Sequence, residues 1–509
     1  MRIVATRIRT LFIPCTLALI FGILLFQTDR ALMKDGEKQR LSKASTPQST
    51  ATHSQTKRPA FSNPMFGAAS TNTMPTATTL FAPVISASKS VNLASASPGA
   101  TLNYTVAIGN SGSTATTGVL FSDTIDANTT LVPGSVNTSP LALNDAYTSI
   151  GNVGITVPAA NGVLANDFDP DGTIPAITSV NTVGLQGTLS LTPATGAFTF
   201  VPAPGFEGTT AFSYTISDGV LSDVGTVSIT VSGMIWFIDD SVAGPGDGRL
   251  GAPFNSVANF NSLAADDPGD NIFLFSGNYT GPLTLLNNQK LIGQGATASL
   301  DSIAGIGVPT FSNLLPSTAG ARPVISSSLT NLTLAQGNLL RGFNLSNNGG
   351  AALTGNNFGN LTASEISVSN TSGTAAINLN TGNPTASFTT VSASGCTNGI
   401  VLTNTTGSFT VTGTGTAGSG GTIQTSTGNG ITLSTAAGVS LSSMIIQTSG
   451  DDGINGSNVN GFSLSDSSVI NNGNSATDEG IEFNNLLGTS TITNATVTGN
   501  AHNNFKLLN

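Results

Sequence analysis

Gly399-Ile400-Val401-Leu402, Gly430-Ile431-Thr432-Leu433, Gly453-Ile454-Asn455-Gly456 and Gly480-Ile481-Glu482-Phe483 are one short phrase met four times, and its spacing decides the fold. Extended in both directions, the same column of apolar residues reads Leu353, Ile377, Ile400, Ile431, Ile454, Ile481 and Phe505. The steps are 24, 23, 31, 23, 27 and 24 residues. Asn504 replaces Gly before Phe505. A period in the twenties, in sequence rich in Gly, Asn, Ser and Thr, fits one coil of a parallel β-helix. One coil cannot bury its inner face alone, so coils must stack. Such a stack offers flat faces suited to binding or cleaving polymers.

Composition agrees. Of 509 residues only 8% are charged, 39% are hydrophobic, and Gly numbers 59. Few strong helix formers and many turn residues argue for an all-β chain with room for three or four domains. Charge is polarised. After position 90 the basic residues are Arg249, Lys290, Arg322, Arg341 and Lys506, against 23 acids, a balance of −18. An acidic body excludes nucleic acid and anionic lipid as partners and favours metal ions or neutral ligands. Acidity that only keeps a β-protein soluble is the plainer alternative. Cys15 and Cys396 cannot make a disulfide framework, and Cys396 reads as a small buried hydrophobe.

Arg2, Arg7 and Arg9 precede an apolar run from Leu11 to Phe26. This reads as a signal peptide or signal-anchor helix within residues 1–35, with membrane association at 11–26 and the body secreted or held at the cell surface. Residues 36–80 are Ser/Thr/Ala/Pro-rich and read as a disordered spacer. His53 falls there and has no catalytic prospect.

Period-2 alternation starts near Pro83, with strands expected at Ile85–Val91, Leu102–Ile108 and Gly118–Thr124. Pro98-Gly99, Tyr104, Asn110-Ser111-Gly112 and Asp123-Thr124 resemble a short repeat of unknown function from bacterial surface proteins. The second half of that repeat is missing here, so residues 81–138 read as a partial Ig-like module. Residues 139–232 carry Asn144-Asp145-Ala146-Tyr147, the run Gly162 to Gly172 with Asn166-Asp167-Phe168-Asp169-Pro170-Asp171, then Gly196 to Pro202, Phe206-Glu207-Gly208, Phe212 to Gly219 and Val227 to Val231. This module resembles the cadherin-like, Ig-type tandem repeat of bacterial adhesins.

Asn166, Asp167, Asp169 and Asp171 alternate around a turn, which gathers hard oxygens of the kind Ca²⁺ takes six to eight of. Three carboxylates so close would repel without a cation. Asp145, Glu207 and Asp218 could complete the shell. In the resembled family such acids bind Ca²⁺ and stiffen the junction to a neighbour, so a structural Ca²⁺ is the cofactor expected. A solvated Asp/Asn/Gly turn is the alternative reading. The loop lacks EF-hand spacing.

Met234 to Asp239, with the only Trp, opens the last domain, 233–509. Gly246-Asp247-Gly248, Gly251-Ala252-Pro253-Phe254 and Gly269 to Tyr279 follow, a run that resembles the start of pectate-lyase-like right-handed β-helices. Phe254 would pack the first coil. The expected fold is therefore all-β, with Ig-like sandwich modules followed by a right-handed parallel β-helix. That fold hosts lyases, hydrolases, tailspikes and adhesins alike, so it leaves function open.

Two residues before each inward anchor stand Asn398, Asn429, Asp452, Glu479 and Asn503. Strands about 4.8 Å apart would turn this column into a side-chain ladder with Asp452 and Glu479 as neighbours. Asp451 and Asp478 would stack one position earlier. Four carboxylates on two coils must share a cation or retain a proton, so the cluster is a Ca²⁺ site, a general acid/base pair, or a set of solvated turns. Gly450-Asp451-Asp452-Gly453-Ile454 resembles the central Asp-Asp motif of polygalacturonase-type hydrolases. The Asn-Thr-Asp, Gly-His and Arg-x-Lys motifs of that family are missing, and a lyase would need a base that the coils hold only as Arg341 or Lys506. His502 reads as an exposed turn residue with no nucleophile beside it. Gly413 to Gly421 lacks a P-loop Lys and reads as the lengthened loop of the 31-residue coil. No polar cap follows the last coil before Asn509, so an open end covered by further chain or a partner is expected.

These readings combine into an exported bacterial surface protein that displays a non-catalytic β-helix to an extracellular glycan or a cell-surface partner. A polysaccharide-degrading enzyme using Asp451, Asp452, Asp478 and Glu479 is the main alternative. An autotransporter-like passenger is the third.

Overall fold

The computed structural model describes residues 2–8, 83–112, 129–132, 137–169 and 175–509. The apolar run 11–26, the spacer 36–80, Gly118 to Thr124, Pro170 and Asp171 lie outside the described residues. No helix among the described residues is long and apolar enough to cross a membrane. The chain divides into two compact units. One holds Met1–Leu143, Asp167–Ala176 and Ile216–Val224, and the other holds Asn144–Asn166, Ile177–Thr215 and Gly225–Asn509.

In the first unit Ile85–Val91 runs antiparallel to Thr101–Asn110, in register from Ile85↔Asn110 to Val91↔Tyr104. Arg2–Ile8 lies parallel to the second of these strands. Alternation works as expected: Leu102, Val106 and Ile108 are buried. Asn110 Oδ1 accepts from the N–H of Val84 at 3.1 Å and of Gly112 at 3.0 Å, which fixes the Asn-Ser-Gly turn.

Residues 145–232 form two sheets. Ile155–Val157, Phe198–Pro202 and Gly187–Leu191 form one. The other has the order Asp145–Ile150, Ser222–Ser232, Gly208–Ser217, Ala176–Asn181. Phe212, Tyr214, Val227, Ile229 and Val231 alternate into the core. Edge-to-face contacts of Phe198 with Tyr147 (4.9 Å) and Phe212 (5.9 Å) join the two sheets.

From Ile235–Ile238 to Phe505–Leu508 the strands form one 22-stranded sheet in which each pairs in parallel with the strand one coil on. The apolar column is a true column of this sheet. Leu332 pairs with Leu353, then Ile377, Ile400, Ile431, Ile454, Ile481 and Phe505 follow in direct register. All but Phe505 are fully buried. The preceding glycines have a steric cause. A Cβ on Gly399, Gly430 or Gly453 would stand 2.7, 2.6 or 2.5 Å from the carbonyl oxygen of the next glycine in the column. Only a residue without Cβ lets coils approach this closely.

The chain bends out of each flat strand at single left-handed residues, and these too form columns. Asn357, Thr381, Asn404, Thr435, Asn458 and Asn485 all have φ between 50° and 64° and repeat at the pitch of the apolar column. Ser443, Asp466 and Asn494 form a second such column, and Thr425, Thr448 and Asn471 a third. Asn tolerates this conformation because its short amide bonds locally; Thr is costly there and persists only because neighbouring coils hold it. Thr448 shows how: its hydroxyl accepts from the N–H of Thr425 on the adjacent coil at 3.2 Å. The 31-residue coil places its surplus between Val411 and Gly421, where Gly413, Gly415, Gly418 and Gly421 all have positive φ.

Trp236 is buried in the first coil, stacked on Phe254 at 6.1 Å, and its Nε1 donates to Asp270 at 2.8 Å. Cys396 is fully buried, and burial pushes its thiol pKa up. One feature is absent from the periodicity. Ile150 and Val153 of the sandwich share a core with Ile235, Phe237, Phe273 and Ile292 of the stack. Asn152 lies between them, donating to the Ile235 carbonyl at 3.1 Å and accepting from Gly205 at 3.0 Å. The sandwich and the first coils are thus joined through packed side chains.

Candidate functional site

The acids on the late coils stand in a ladder in which Asn429 and Asp452 each accept the backbone N–H of the next rung. Asn429 Oδ1 accepts from Asp452 N–H at 3.0 Å, and Asp452 Oδ1 accepts from Glu479 N–H at 2.5 Å. Glu479 Oε1 then accepts from Asn503 Nδ2 at 3.2 Å. The carboxylates therefore stand where earlier coils use amides, and they are adjacent as their spacing demands.

Asp452 and Glu479 are 3% and 0% exposed. Burial pushes the Asp452 carboxyl above its ordinary pKa, against the pull of Asn455 Nδ2, which donates to Asp452 Oδ2 at 2.6 Å. Burial would raise Glu479 as well, but donors from His502, Asn503 and Lys506 outweigh it and hold this carboxyl below its usual range. One rung apart, the two acids are displaced in opposite directions.

Asp478 does different work. Its carboxylate accepts from the N–H groups of Asn474 and Ser475, both at 2.9 Å, and from the Ser475 and Thr477 hydroxyls. Those donors lower its pKa and close the 474–478 loop. Asp451 is exposed. The position three residues before the anchor column thus carries one solvent-facing acid and one loop-closing acid.

Three residues that the sequence reading did not place in a site, His502, Lys506 and Glu482, complete the cluster. His502 is an exposed turn residue, yet its Nδ1 lies 3.0 Å from Glu479 Oε1, so it has an acid beside it after all. Lys506 Nζ bridges Glu479 Oε1 at 3.2 Å and Glu482 Oε1 at 2.8 Å. Glu482 and Lys506 pair directly across coils, a contact that the 24-residue step from Ile481 to Phe505 already implied. One oxygen each from Asp452, Glu479 and Glu482 lie within 4.8 Å of one another.

In the cadherin-like module the expected calcium ligands have partners of their own. In the first unit, Asp167 accepts from Leu143 N–H at 2.7 Å and Asp169 from the Thr138 hydroxyl at 3.0 Å. Asp218 accepts from Val220 and Leu221 N–H, both at 2.6 Å, as the closing residue of its hairpin turn. In the second unit Glu207 accepts from Met234 N–H at 3.1 Å, and Asp145 from the Tyr214 hydroxyl at 3.4 Å. Asn166 Oδ1 is buried with no hydrogen-bond partner among the described residues.

Arg341 is another basic residue with a defined partner. It forms a two-pronged pair with Glu365 at 2.9 and 3.1 Å, and holds that carboxyl at about 2. Phe343, Phe358, Phe388, Phe409, Phe462 and Phe483 are all buried in the core, so they offer no ring to a ligand.

No curated protein matches the chain. Among solved structures it is similar to the Yersinia enterocolitica family 28 exopolygalacturonase, at 13% identity and TM-score 0.11, over 62% of this chain and 86% of that one. Residues 137–233 match the bacterial cadherin-like domain family.

Proposed function

We propose that this chain is an exported bacterial surface protein whose residues 233–509 form a right-handed parallel β-helix, a non-catalytic surface for an extracellular glycan or cell-surface partner. The cadherin-like match at 137–233 supports a surface role. The observation that carries the non-catalytic reading is the state of the acids. Asp452 and Glu479 are closed off from solvent and accept hydrogen bonds within the stack, as their Asn counterparts do. A glycosidase needs two carboxyls open to the scissile bond. The buried phenylalanines from Phe343 to Phe483 offer no stacking platform, so binding along those coils would rest on hydroxyl and amide groups. Calcium held by Asp167 and Asp169 is part of the proposal for the module.

One observation favours the enzyme reading: Asp452 is displaced upward and Glu479 downward, as in an acid and base pair. The experiment is product release from polyuronates and neutral polysaccharides by the full chain, beside retention on the same polymers in insoluble form. Retention without release is the expected result. Release that disappears in Asp452→Ala/Glu479→Ala would replace the binding role with a hydrolytic one.

A further inference from the structure

We propose that Asp452, Glu479 and Glu482 form a site for one divalent cation of the calcium class, in competition with the ammonium group of Lys506. Two independent observations lead there. The first is the convergence of three carboxylates from two adjacent coils, with an oxygen of each within 4.8 Å of the others. The second is that Glu479 is fully buried while its Oε2 has no hydrogen-bond partner among the described residues. A buried anionic oxygen with nothing donating to it is costly, and a bound cation removes that cost.

Charge and size select the ion. Three carboxylates face the single ammonium of Lys506, with the Asp451 carboxylate beside Asp452 adding to the excess. A divalent ion balances that charge where a monovalent one cannot. All the ligands are hard oxygens. Oxygens up to 4.8 Å apart suit an ion that holds its ligands at about 2.3–2.6 Å better than Mg²⁺, which demands about 2.0–2.1 Å. Lys506 Nζ bridges Oε1 of two of the three carboxylates, so its charge opposes that of an ion bound to the same groups. The lysine side chain is 32% exposed on a long stem and can swing to water. His502 and Asn503 stay on Glu479 Oε1, leaving Oε2 for the ion. The proposal is independent of whether the stack binds or cleaves a glycan.

The test is equilibrium dialysis of the full chain against radioactive Ca²⁺ alone, at physiological ionic strength. Glu482 is only partly buried, so Glu482→Gln keeps the fold while removing one ligand; it should bind one Ca²⁺ fewer per chain than wild type. Lys506→Ala should keep the stoichiometry and bind roughly tenfold more tightly at this site, because its internal competitor is gone. A misfolded variant cannot gain affinity, so the two changes discriminate together. An unchanged Ca²⁺ count in Glu482→Gln, or unchanged or weaker binding in Lys506→Ala, overturns the proposal.

Discussion

The coil of Trp236 and the coil of Phe505 are built from the same repeat and bury their inner residues to opposite extents. At the start, Trp236, Phe237 and Phe273 are fully buried, roofed by Phe254, by the helix Val257–Asn261 and by sandwich residues Ile150 and Val153. At the last coil, Phe505 and Leu507 occupy the column positions of Ile481 and Phe483 but are each 45% exposed. This coil is tied down by charge instead: His502, Asn503 and Lys506 converge on Glu479 and Glu482. The difference teaches that a coil's inner residues stabilise only as much as the neighbours on both sides allow.

Four variants break or sharpen this contrast. Trp236→Ala should cost most, about 4 kcal/mol, since it empties the roofed coil and takes from the buried Asp270 carboxylate one of its two donors, leaving the Asp267 N–H; thermal denaturation measures it. Ile431→Ala, mid-column and fully buried, should cost about 3 kcal/mol. Phe505→Ala removes a larger side chain from the same column, yet should cost under about 1 kcal/mol because half of its environment is water. If Phe505→Ala matched Ile431→Ala in denaturant midpoint, the last coil would be as well packed as the middle ones. The smallest effect concerns the roofed end. Burial and the Asp270 charge raise Asp266 from 3.8 to about 6. An acid raised on folding holds its proton more tightly in the native state, so its contribution is greatest below pH 3.8 and is lost as pH rises through about 6. Asp266→Asn should therefore raise the Tm at pH 7 by about 1–2 °C and flatten its pH dependence between these values.

What could be read in advance follows from which constraints repeat. The column Leu353 to Phe505 was legible because each coil must bury an apolar group at one place, and the glycines because each faces a carbonyl there. The neighbouring Asp452 and Glu479 were legible by the same count. The bridge from Lys506 to Glu482 obeyed that count too, but no motif drew the eye to it. His502 was harder, since its contact depends on the reach of Glu479 across a coil and not on register. The core shared by Ile150, Val153 and Phe237 had no period at all. It arises from shape complementarity between a turn and a sheet, and a one-dimensional pattern holds no record of that.

The 31-residue coil has a consequence for variation. Ile400 and Ile431 remain in direct register although seven or eight more residues lie between them than in the 23- and 24-residue coils. The surplus leaves the sheet at Gly413 and returns at Gly421 without disturbing the rungs above or below. Length at that corner is thus uncoupled from pitch, and foreign peptide could be spliced in there for display, or whole turns duplicated by recombination, without renegotiating the interior.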